Sequence, residues 1–296
     1  MTQDNLAFIG GGNMARSLIG GLLQTGRAPE SLRVAEPVAE LRDTLAADFG
    51  VRVRASGPEA ADGAGTWVLA VKPQVMRAVC ESLAPLAQAS RPLVVSIAAG
   101  ITTAQIDTWL GGGQAVVRTM PNTPALLGAG ATGLYANASV DAGQRERADS
   151  LMRAAGLTAW IPDEALMDAV TAVSGSGPAY VFLLAEAMQA AGEAQGLAPD
   201  TARTLALQTL LGAARMLSES GEPAALLCVE FYADRADALP PETRELLAKF
   251  IPGWELDVAK ADGSPLQSPT AVKMSVQLLA QPIAGVDDKL RVTIQD

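Results

Sequence analysis

Leu6-Ala-Phe-Ile-Gly-Gly-Gly-Asn-Met-Ala15 is the stretch of this 296-residue chain that decides the fold. Its opening apolar residues predict a short buried strand, and the glycines that follow predict a tight turn. A helical pattern comes next, with apolar residues at positions 18, 19, 22 and 23. A strand, a glycine turn and a helix in this order match the fingerprint of a dinucleotide-binding fold.

The glycine turn assigns a different task to each of its residues. We expect Gly10 to make the tight turn, Gly12 to let a pyrophosphate approach the backbone, and Ala15 to pack the helix on the strand. Asn13 and Met14 complete the predicted cofactor-binding turn. The start of the helix offers free N–H groups and a positive dipole end, which favour phosphate binding.

The rest of the first half repeats the alternation of short apolar strands with helical patterns. This alternation predicts an α/β fold with an N-terminal doubly wound, Rossmann-type parallel sheet, followed by a helical domain. The predicted strands are residues 6–9, 32–35, 67–71, 93–97, 115–119, 132–135 and 157–161. We place the dinucleotide-binding domain in residues 1–161, the helical substrate and dimerisation domain in 162–229, and an atypical C-terminal segment in 230–296.

Composition excludes several classes of function. A net charge of −10 argues against nucleic-acid binding, and no apolar run is long enough to span a membrane. No basic and apolar leader opens the chain, so we expect no signal peptide. Cys80 and Cys228 are the only cysteines, which favours a cytoplasmic location and a role for both in the core. The chain has no histidine, so we predict no metal site and name no catalytic acid or base.

Glu36 closes the second predicted strand and bears on the choice of cofactor. An acid at this place can accept a hydrogen bond from a ribose 2′-hydroxyl and repels a 2′-phosphate, which favours NADH. The alternative is a solvated turn acid before Pro37. Arg33 and Arg42 lie near enough in sequence to leave NADPH open.

The end of the 67–71 strand is a second predicted part of the cofactor site. Ala70, Val71, Lys72 and Pro73 lie where a parallel sheet binds its ligands, at the carboxyl end of a strand. Lys72 is the only lysine among the first 248 residues. Its alternative role is that of a solvated lysine at a strand end.

Two further segments complete the candidate site. Asn122, between two prolines, offers a donor and an acceptor suited to a nicotinamide carboxamide or the backbone around it. The alternative is a rigid turn in which Asn122 bonds its own backbone. A small-residue turn precedes the next helix and could cradle a carboxylate or the nicotinamide end, or simply allow close helix packing. Its residues are Ser174, Gly175, Ser176 and Gly177.

Together these segments resemble pyrroline-5-carboxylate reductase. The resemblance rests on Gly10-Gly-Gly-Asn-Met-Ala15, Ala70-Val-Lys-Pro-Gln74, Arg118-Thr-Met-Pro-Asn-Thr-Pro124 and Ser174-Gly-Ser-Gly-Pro-Ala-Tyr180. It implies an oxidoreductase of proline biosynthesis that reduces 1-pyrroline-5-carboxylate to L-proline with NADPH or NADH. It also implies a homo-oligomer built on dimers of the helical domain, a substrate site lined by residues 174–177, and Glu219 facing the substrate ring.

The chain departs from this family after Val229. The family continues with Ser-Pro-Gly-Gly-Thr-Thr, a loop that helps to bind the substrate carboxylate, and then with a long helix of the dimer core. Here Glu-Phe-Tyr-Ala-Asp-Arg235 follows instead. The alternative function is therefore an NAD(P)H-binding protein of the same fold with little or no turnover. A β-hydroxyacid dehydrogenase is disfavoured because no lysine lies between Lys72 and Lys249.

Overall fold

A computed structural model describes residues 5–221 of the chain. Eight strands form one sheet in the order β3-β2-β1-β4-β5-β6-β7-β8. The strands are β1 (Leu6–Ile9), β2 (Leu32–Ala35), β3 (Arg52–Arg54), β4 (Thr66–Leu69), β5 (Leu93–Ser96), β6 (Ala115–Met120), β7 (Gly130–Ala136) and β8 (Gly156–Trp160). The helices around the sheet are α1 (Asn13–Gln24), α2 (Ala39–Phe49), α3 (Gly57–Ala61), α4 (Pro73–Ser90), α5 (Thr103–Trp109), α6 (Ala142–Arg153) and α7 (Met167–Val170).

The central strand β1 pairs in parallel with β2 on one side and with β4 on the other. The chain therefore builds one half of the sheet outward from β1, returns, and builds the second half in the opposite direction. This arrangement confirms the predicted Rossmann-type α/β fold. It also opens a crevice at the carboxyl ends of β1 and β4, where such sheets bind their ligands.

Two features of the sheet differ from the sequence prediction. Strand β3 was not predicted, because its Arg-Val-Arg sequence has a single apolar residue and lies at the edge of the sheet. Strand β7 runs antiparallel to β6, so the sheet is mostly rather than wholly parallel. The connection between β6 and β7 contains only a short 3₁₀ turn, Thr123–Leu127, and is too short for the helical crossover that a parallel pair needs.

Apolar side chains cover both faces of the sheet. On one face Phe8 and Leu18 lie in a cluster that joins α1, α2 and α6 to the strands. On the other face Trp67 and Met76 lie in a cluster that includes α3, α4 and α5. Strands buried on both faces explain why the sequence shows continuous apolar runs rather than alternation.

The chain divides into two compact units, residues 1–180 and 181–296. The described part of the second unit holds most of α8 (Gly177–Ala194) and all of α9 (Pro199–Glu219). Gly196, at φ +96°, and Pro199 separate these helices, as the sequence predicts. The domain boundaries proposed from sequence stay predictions, and residues 230–296 lie outside the described residues. Within residues 5–221 no helix is long and apolar enough to cross a membrane.

Candidate functional site

The glycine turn after β1 packs directly against the end of β4. The Gly10 N–H donates to the Ala35 carbonyl at 2.9 Å, and the Ala70 N–H donates to the Ile9 carbonyl at 2.9 Å. Gly10 has φ +109°, and a Cβ at this position would lie 2.6 Å from the Ala70 carbonyl oxygen. Both the backbone conformation and the close approach therefore require glycine at position 10.

Gly12 stands over open space at the start of α1. A Cβ there would meet no protein atom within 4 Å. Gly12 is the N-cap of α1, and no described side chain caps this helix. The first N–H groups of the helix, from Asn13 and Met14 onward, are thus available to an anion, while Ala15 is buried against the sheet.

Gly11 has a role that the sequence analysis did not assign. Its N–H donates to Glu36 Oε2 at 3.3 Å. A Cβ on Gly11 would lie 2.5 Å from Leu45 Cδ1, so a side chain would clash with α2. The presence of a further glycine between Gly10 and Gly12 was the sequence signal for this close packing.

Glu36 is 8% exposed, so it is not a solvated turn acid. Its second carboxylate oxygen accepts from the Val38 N–H at 3.1 Å, which together with Gly11 fixes the carboxylate beside the glycine turn. Arg42 donates to the carbonyls of Glu36 and Pro37 at 2.8 and 2.7 Å and lies next to the same loop. Arg33 donates to the Asp62 carbonyl instead.

Residues 70–73 lie beside the glycine turn. A Cβ at Gly10 would stand 3.2 Å from Val71 Cγ1, which places the two loops in contact. Lys72 is exposed at the N-cap of α4, and Pro73 is the first residue of that helix. The structure thus brings the predicted cofactor residues of β1, β2 and β4 to one edge of the sheet.

The Asn122 side chain joins two distant segments of backbone. Its Nδ2 donates to the Ser174 carbonyl at 3.0 Å, and its Oδ1 accepts from the Ala131 N–H at 2.9 Å. Asn122 is buried, and neither partner is its own backbone, so the rigid-turn alternative is wrong in that detail. A cofactor contact by Asn122 stays a prediction.

The predicted substrate turn, residues 174–177, begins inside a single turn of π-helix, Thr171–Gly175, and ends at the first residue of α8. The Ser176 N–H donates to the Thr171 carbonyl at 2.7 Å, and the Ser174 hydroxyl donates to the Val170 carbonyl at 2.9 Å. Gly177 starts α8, and a Cβ there would meet no protein atom within 4 Å. Single π turns are frequent at functional sites, because they widen a helix locally.

A partly buried ion pair lies on the same connection, and sequence reasoning missed it. Glu164 accepts from Arg118 Nη1 at 3.2 Å, from the Thr103 N–H at 2.8 Å and from the Thr103 hydroxyl at 2.9 Å. The Arg118 side chain is 8% exposed. These contacts span 46 and 61 residues, so no local pattern could reveal them.

Three other predicted residues fall in separate surroundings. Glu219 is exposed near the end of α9 and pairs with Arg215 Nε at 3.0 Å within the second unit. Its substrate role stays a prediction. Cys80 is buried as predicted, and burial, followed by the nearby Glu81 charge, raises its pKa to about 12, so it is an inert thiol. Cys228 lies outside the described residues, and residues 5–221 contain no cluster of three or more potential metal ligands.

Comparison with known proteins connects this geometry to a family. Residues 164–229 match the family model for pyrroline-5-carboxylate reductase dimerisation, and residues 5–100 match that for NADP oxidoreductase, coenzyme F420-dependent. A pyrroline-5-carboxylate reductase of Pseudomonas aeruginosa is 55% identical over 227 residues, 76% of this chain and 83% of the relative. The chain belongs to the pyrroline-5-carboxylate reductase family.

Other members of the family agree with this assignment. The reductase of Haemophilus influenzae is 43% identical over 220 residues, 74% of this chain and 80% of that protein. The solved pyrroline-5-carboxylate reductase of Coxiella burnetii superposes with a TM-score of 0.75 at 41% identity, over 84% of this chain and 90% of that one. The Plasmodium falciparum enzyme, solved with NADP bound, gives a TM-score of 0.70 at 27% identity, over 84% and 91%.

Proposed function

We propose that this protein reduces 1-pyrroline-5-carboxylate to L-proline in proline biosynthesis, with NADPH or NADH as hydride donor. The relative that is 55% identical over 227 residues carries the proposal. The carboxyl edge of the sheet supports it, because the open space over Gly12 and the uncapped start of α1 suit a dinucleotide pyrophosphate. The family membership favours a reductase over a binding protein without turnover.

The reaction adds one hydride and one proton across a C=N bond. A reduced nicotinamide supplies the hydride when bound. The hydride adds to the imine carbon, while the protonated imine nitrogen keeps its proton and becomes the ring amine of proline. Because a protonated imine is already electrophilic, a chain without histidine can perform this chemistry. The protein then has to bind the cofactor and the substrate, and to align the hydride-donating carbon of the nicotinamide with the imine carbon.

The roles of the site residues follow from their places at the sheet edge. We assign the pyrophosphate to Gly12, Asn13 and Met14, on a turn shaped by Gly10 and Ala15. Glu36 accepts from the adenosine ribose.

The loop at Ala70, Val71, Lys72 and Pro73 contacts the ribose and nicotinamide half. The 174–177 turn lines the substrate site.

The protein also associates with itself in this proposal. The described faces of α8 and α9 expose large apolar side chains, among them Phe182 at 65% and Leu211 at 57%. Apolar surface of this extent usually marks an interface. The match of residues 164–229 to the dimerisation model supports a second copy of the chain as the partner. We place the enzyme in the cytoplasm, because a chain with two cysteines fits a reducing compartment.

Product analysis tests the proposed activity. The purified chain is incubated with 1-pyrroline-5-carboxylate and either NADPH or NADH, and proline is measured by mass spectrometry alongside the loss of nicotinamide absorbance. We expect proline in proportion to the cofactor consumed. Cofactor binding without proline would support the binding-protein alternative, and failure to bind either cofactor would overturn both.

A further inference from the structure

Strand β6 and the loop that follows it present three alternate residues to the connection that leads into the substrate turn. Arg118, Met120 and Asn122 are spaced two apart in extended backbone, so they share one face. Each meets a different residue of that connection. Arg118 pairs with Glu164 at 3.2 Å, Met120 approaches Gly175, and Asn122 donates to the Ser174 carbonyl at 3.0 Å.

Packing reinforces the polar contacts. A Cβ on Gly175 would lie 2.8 Å from Met120 Cε, so the turn sits directly on this side chain. Gly133, the cross-strand partner of Met120 on β7, leaves room for Val170, because a Cβ there would lie 2.5 Å from Val170 Cγ1. The π turn is thus held on the sheet from both its ends.

We propose that this face of β6 and of the loop after it sets the position of the substrate turn, and that Asn122 is a positioning residue for hydride transfer. The part of this inference that concerns hydride transfer rests on the proposed function. The Asn122 amide uses its oxygen on Ala131 and an N–H on Ser174, so it ties the loop after β6 to the turn at residues 174–177. A small shift of that turn would misalign the reacting carbons.

The first test is Asn122→Asp. The new carboxylate can still accept from the Ala131 N–H, but it cannot donate to the Ser174 carbonyl and repels it. We expect kcat/KM for the pyrroline to fall about a hundred-fold, the typical effect of a misplacement near 1 Å. The dissociation constant for NAD(P)H, measured by fluorescence titration, should stay unchanged, because the oxygen and one N–H of the Asn122 amide are already bonded within the protein. A weakened affinity would instead support the cofactor contact that the sequence predicts for Asn122.

Asn137 offers a matched control at the opposite end of β6. Its Nδ2 donates to the Gln114 carbonyl at 3.0 Å, and its Oδ1 accepts from the Val116 N–H at 3.1 Å. Asn137→Asp therefore makes the same chemical change in an amide that also bridges two backbone groups, here at the start of β6 and away from the candidate site. We expect it to lower Tm without changing kcat/KM. If the two variants have equal kinetics, the role of Asn122 is structural only, and a weaker NAD(P)H affinity in Asn122→Asp alone would make Asn122 a cofactor ligand; either result overturns the proposal.

Amide hydrogen exchange separates this inference from the proposed function. The 171–177 amides should exchange faster in Asn122→Asp than in Asn137→Asp, whether or not the protein makes proline. An inactive wild type with this exchange difference would overturn the proposed function and leave the positioning contact standing. Equal exchange would overturn the positioning contact.

A second variant tests the packing contact if Asn122→Asp does not fold. Gly175→Ala adds a methyl group against Met120 Cε without touching the Asn122 amide, and Gly175 has a helical conformation that alanine accepts. We expect Gly175→Ala to lower kcat/KM and Met120→Val in the same chain to restore part of it. A loss that Met120→Val leaves in place would assign the effect to direct contact with the substrate and overturn the role of β6.

Discussion

At the scale of single residues, Gly12 leaves open a space that no protein atom fills and that a ligand can occupy. A side chain at Gly12 meets no protein atom within 4 Å, so Gly12→Val should fold normally. It would fill the space that the pyrophosphate needs. We predict that NAD(P)H affinity falls about a hundred-fold, or roughly 2.7 kcal/mol, in a fluorescence titration.

Gly10→Val is the matched comparison. Its side chain would meet the Ala70 carbonyl, and its backbone would be strained at φ +109°. Strain of this kind costs on the order of 1–3 kcal/mol, so this variant should lose Tm as well as binding. Unchanged affinity in a folded Gly12→Val would remove the glycine turn from the cofactor site.

Glu36 bears on cofactor choice at the same scale. Its carboxylate is held beside the glycine turn by the N–H groups of Gly11 and Val38. Glu36→Ser removes a negative charge that would face a 2′-phosphate. We predict that the ratio of kcat/KM for NADPH to that for NADH rises roughly ten- to a hundred-fold, since like charges in contact cost several kcal/mol.

Glu40→Ser serves as the control for Glu36. Glu40 is an exposed acid in the first turn of α2, a few residues further along the chain. Replacing Glu40 should not change the ratio of kcat/KM for NADPH to kcat/KM for NADH. If both variants keep the wild-type preference between NADPH and NADH, Glu36 does not contact the adenosine ribose.

At the scale of elements, the sequence could predict each strand that has an apolar run and could not predict how all of them pair. The run at residues 6–9 is buried on both faces, so its pattern is plain. Two of the three residues of strand β3 are charged, so this strand has no apolar run and was not predicted. The residues of β7 do not by themselves predict whether it pairs in parallel or antiparallel with β6. The short connection between the two strands excludes a parallel crossover.

The candidate site divides in the same way. The glycine turn and residues 70–73 have local signatures, because a tight turn and a helix start impose local residue types. The links from Arg118 to Glu164 and from Asn122 to Ser174 depend on folding. Only the tertiary structure brings such residues within hydrogen-bonding distance.

Asp149 joins α6 to β8 and makes the stability of this pair depend on pH. Its carboxylate accepts from Arg153 Nε at 2.6 Å, Thr158 Oγ1 at 2.8 Å and Trp160 Nε1 at 3.0 Å. Burial alone would raise the pKa of Asp149, but these hydrogen bonds and the Arg153 charge outweigh it and lower the pKa below the ordinary 3.8. The carboxylate therefore stabilises the fold above the unfolded-state pKa, and this contribution is lost as pH falls through the folded-state pKa.

Asp149→Asn should lower the free energy of unfolding by about 1.5–3 kcal/mol at neutral pH, the range for hydrogen bonds to a charged group. Because the variant has no carboxyl group to titrate here, its deficit should shrink as pH falls below 3.8. Urea unfolding at a series of pH values measures both effects. Asp43→Asn, on an exposed position of α2, should show neither. A deficit that stays constant with pH would show that the Asp149 charge does not stabilise the fold.

At the scale of the whole molecule, the likeness to the family ends before the chain does. The dimerisation model matches through residue 229, and the alignment with the Pseudomonas aeruginosa relative covers 76% of this chain. Composition changes at the same place. Residues 1–229 contain fourteen arginines and one lysine, whereas residues 230–296 contain three arginines and four lysines. The segment implied to bind the substrate carboxylate and to complete the dimer is thus the part that differs.

This difference predicts that the chain binds NAD(P)H normally but reduces the pyrroline poorly. The loop Ser-Pro-Gly-Gly-Thr-Thr would supply hydroxyl and N–H donors to the substrate carboxylate. Each lost hydrogen bond to a charged group costs roughly 1.5–3 kcal/mol, or about ten- to a hundred-fold in binding. A chimera that replaces residues 230–296 with the corresponding segment of the Pseudomonas aeruginosa relative should therefore bind NAD(P)H as the natural chain does, reduce the pyrroline with a higher kcat/KM, and sediment as a larger species. Equal kcat/KM and equal sedimentation would mean that residues 230–296 supply the carboxylate donors and the dimer contact by a different sequence.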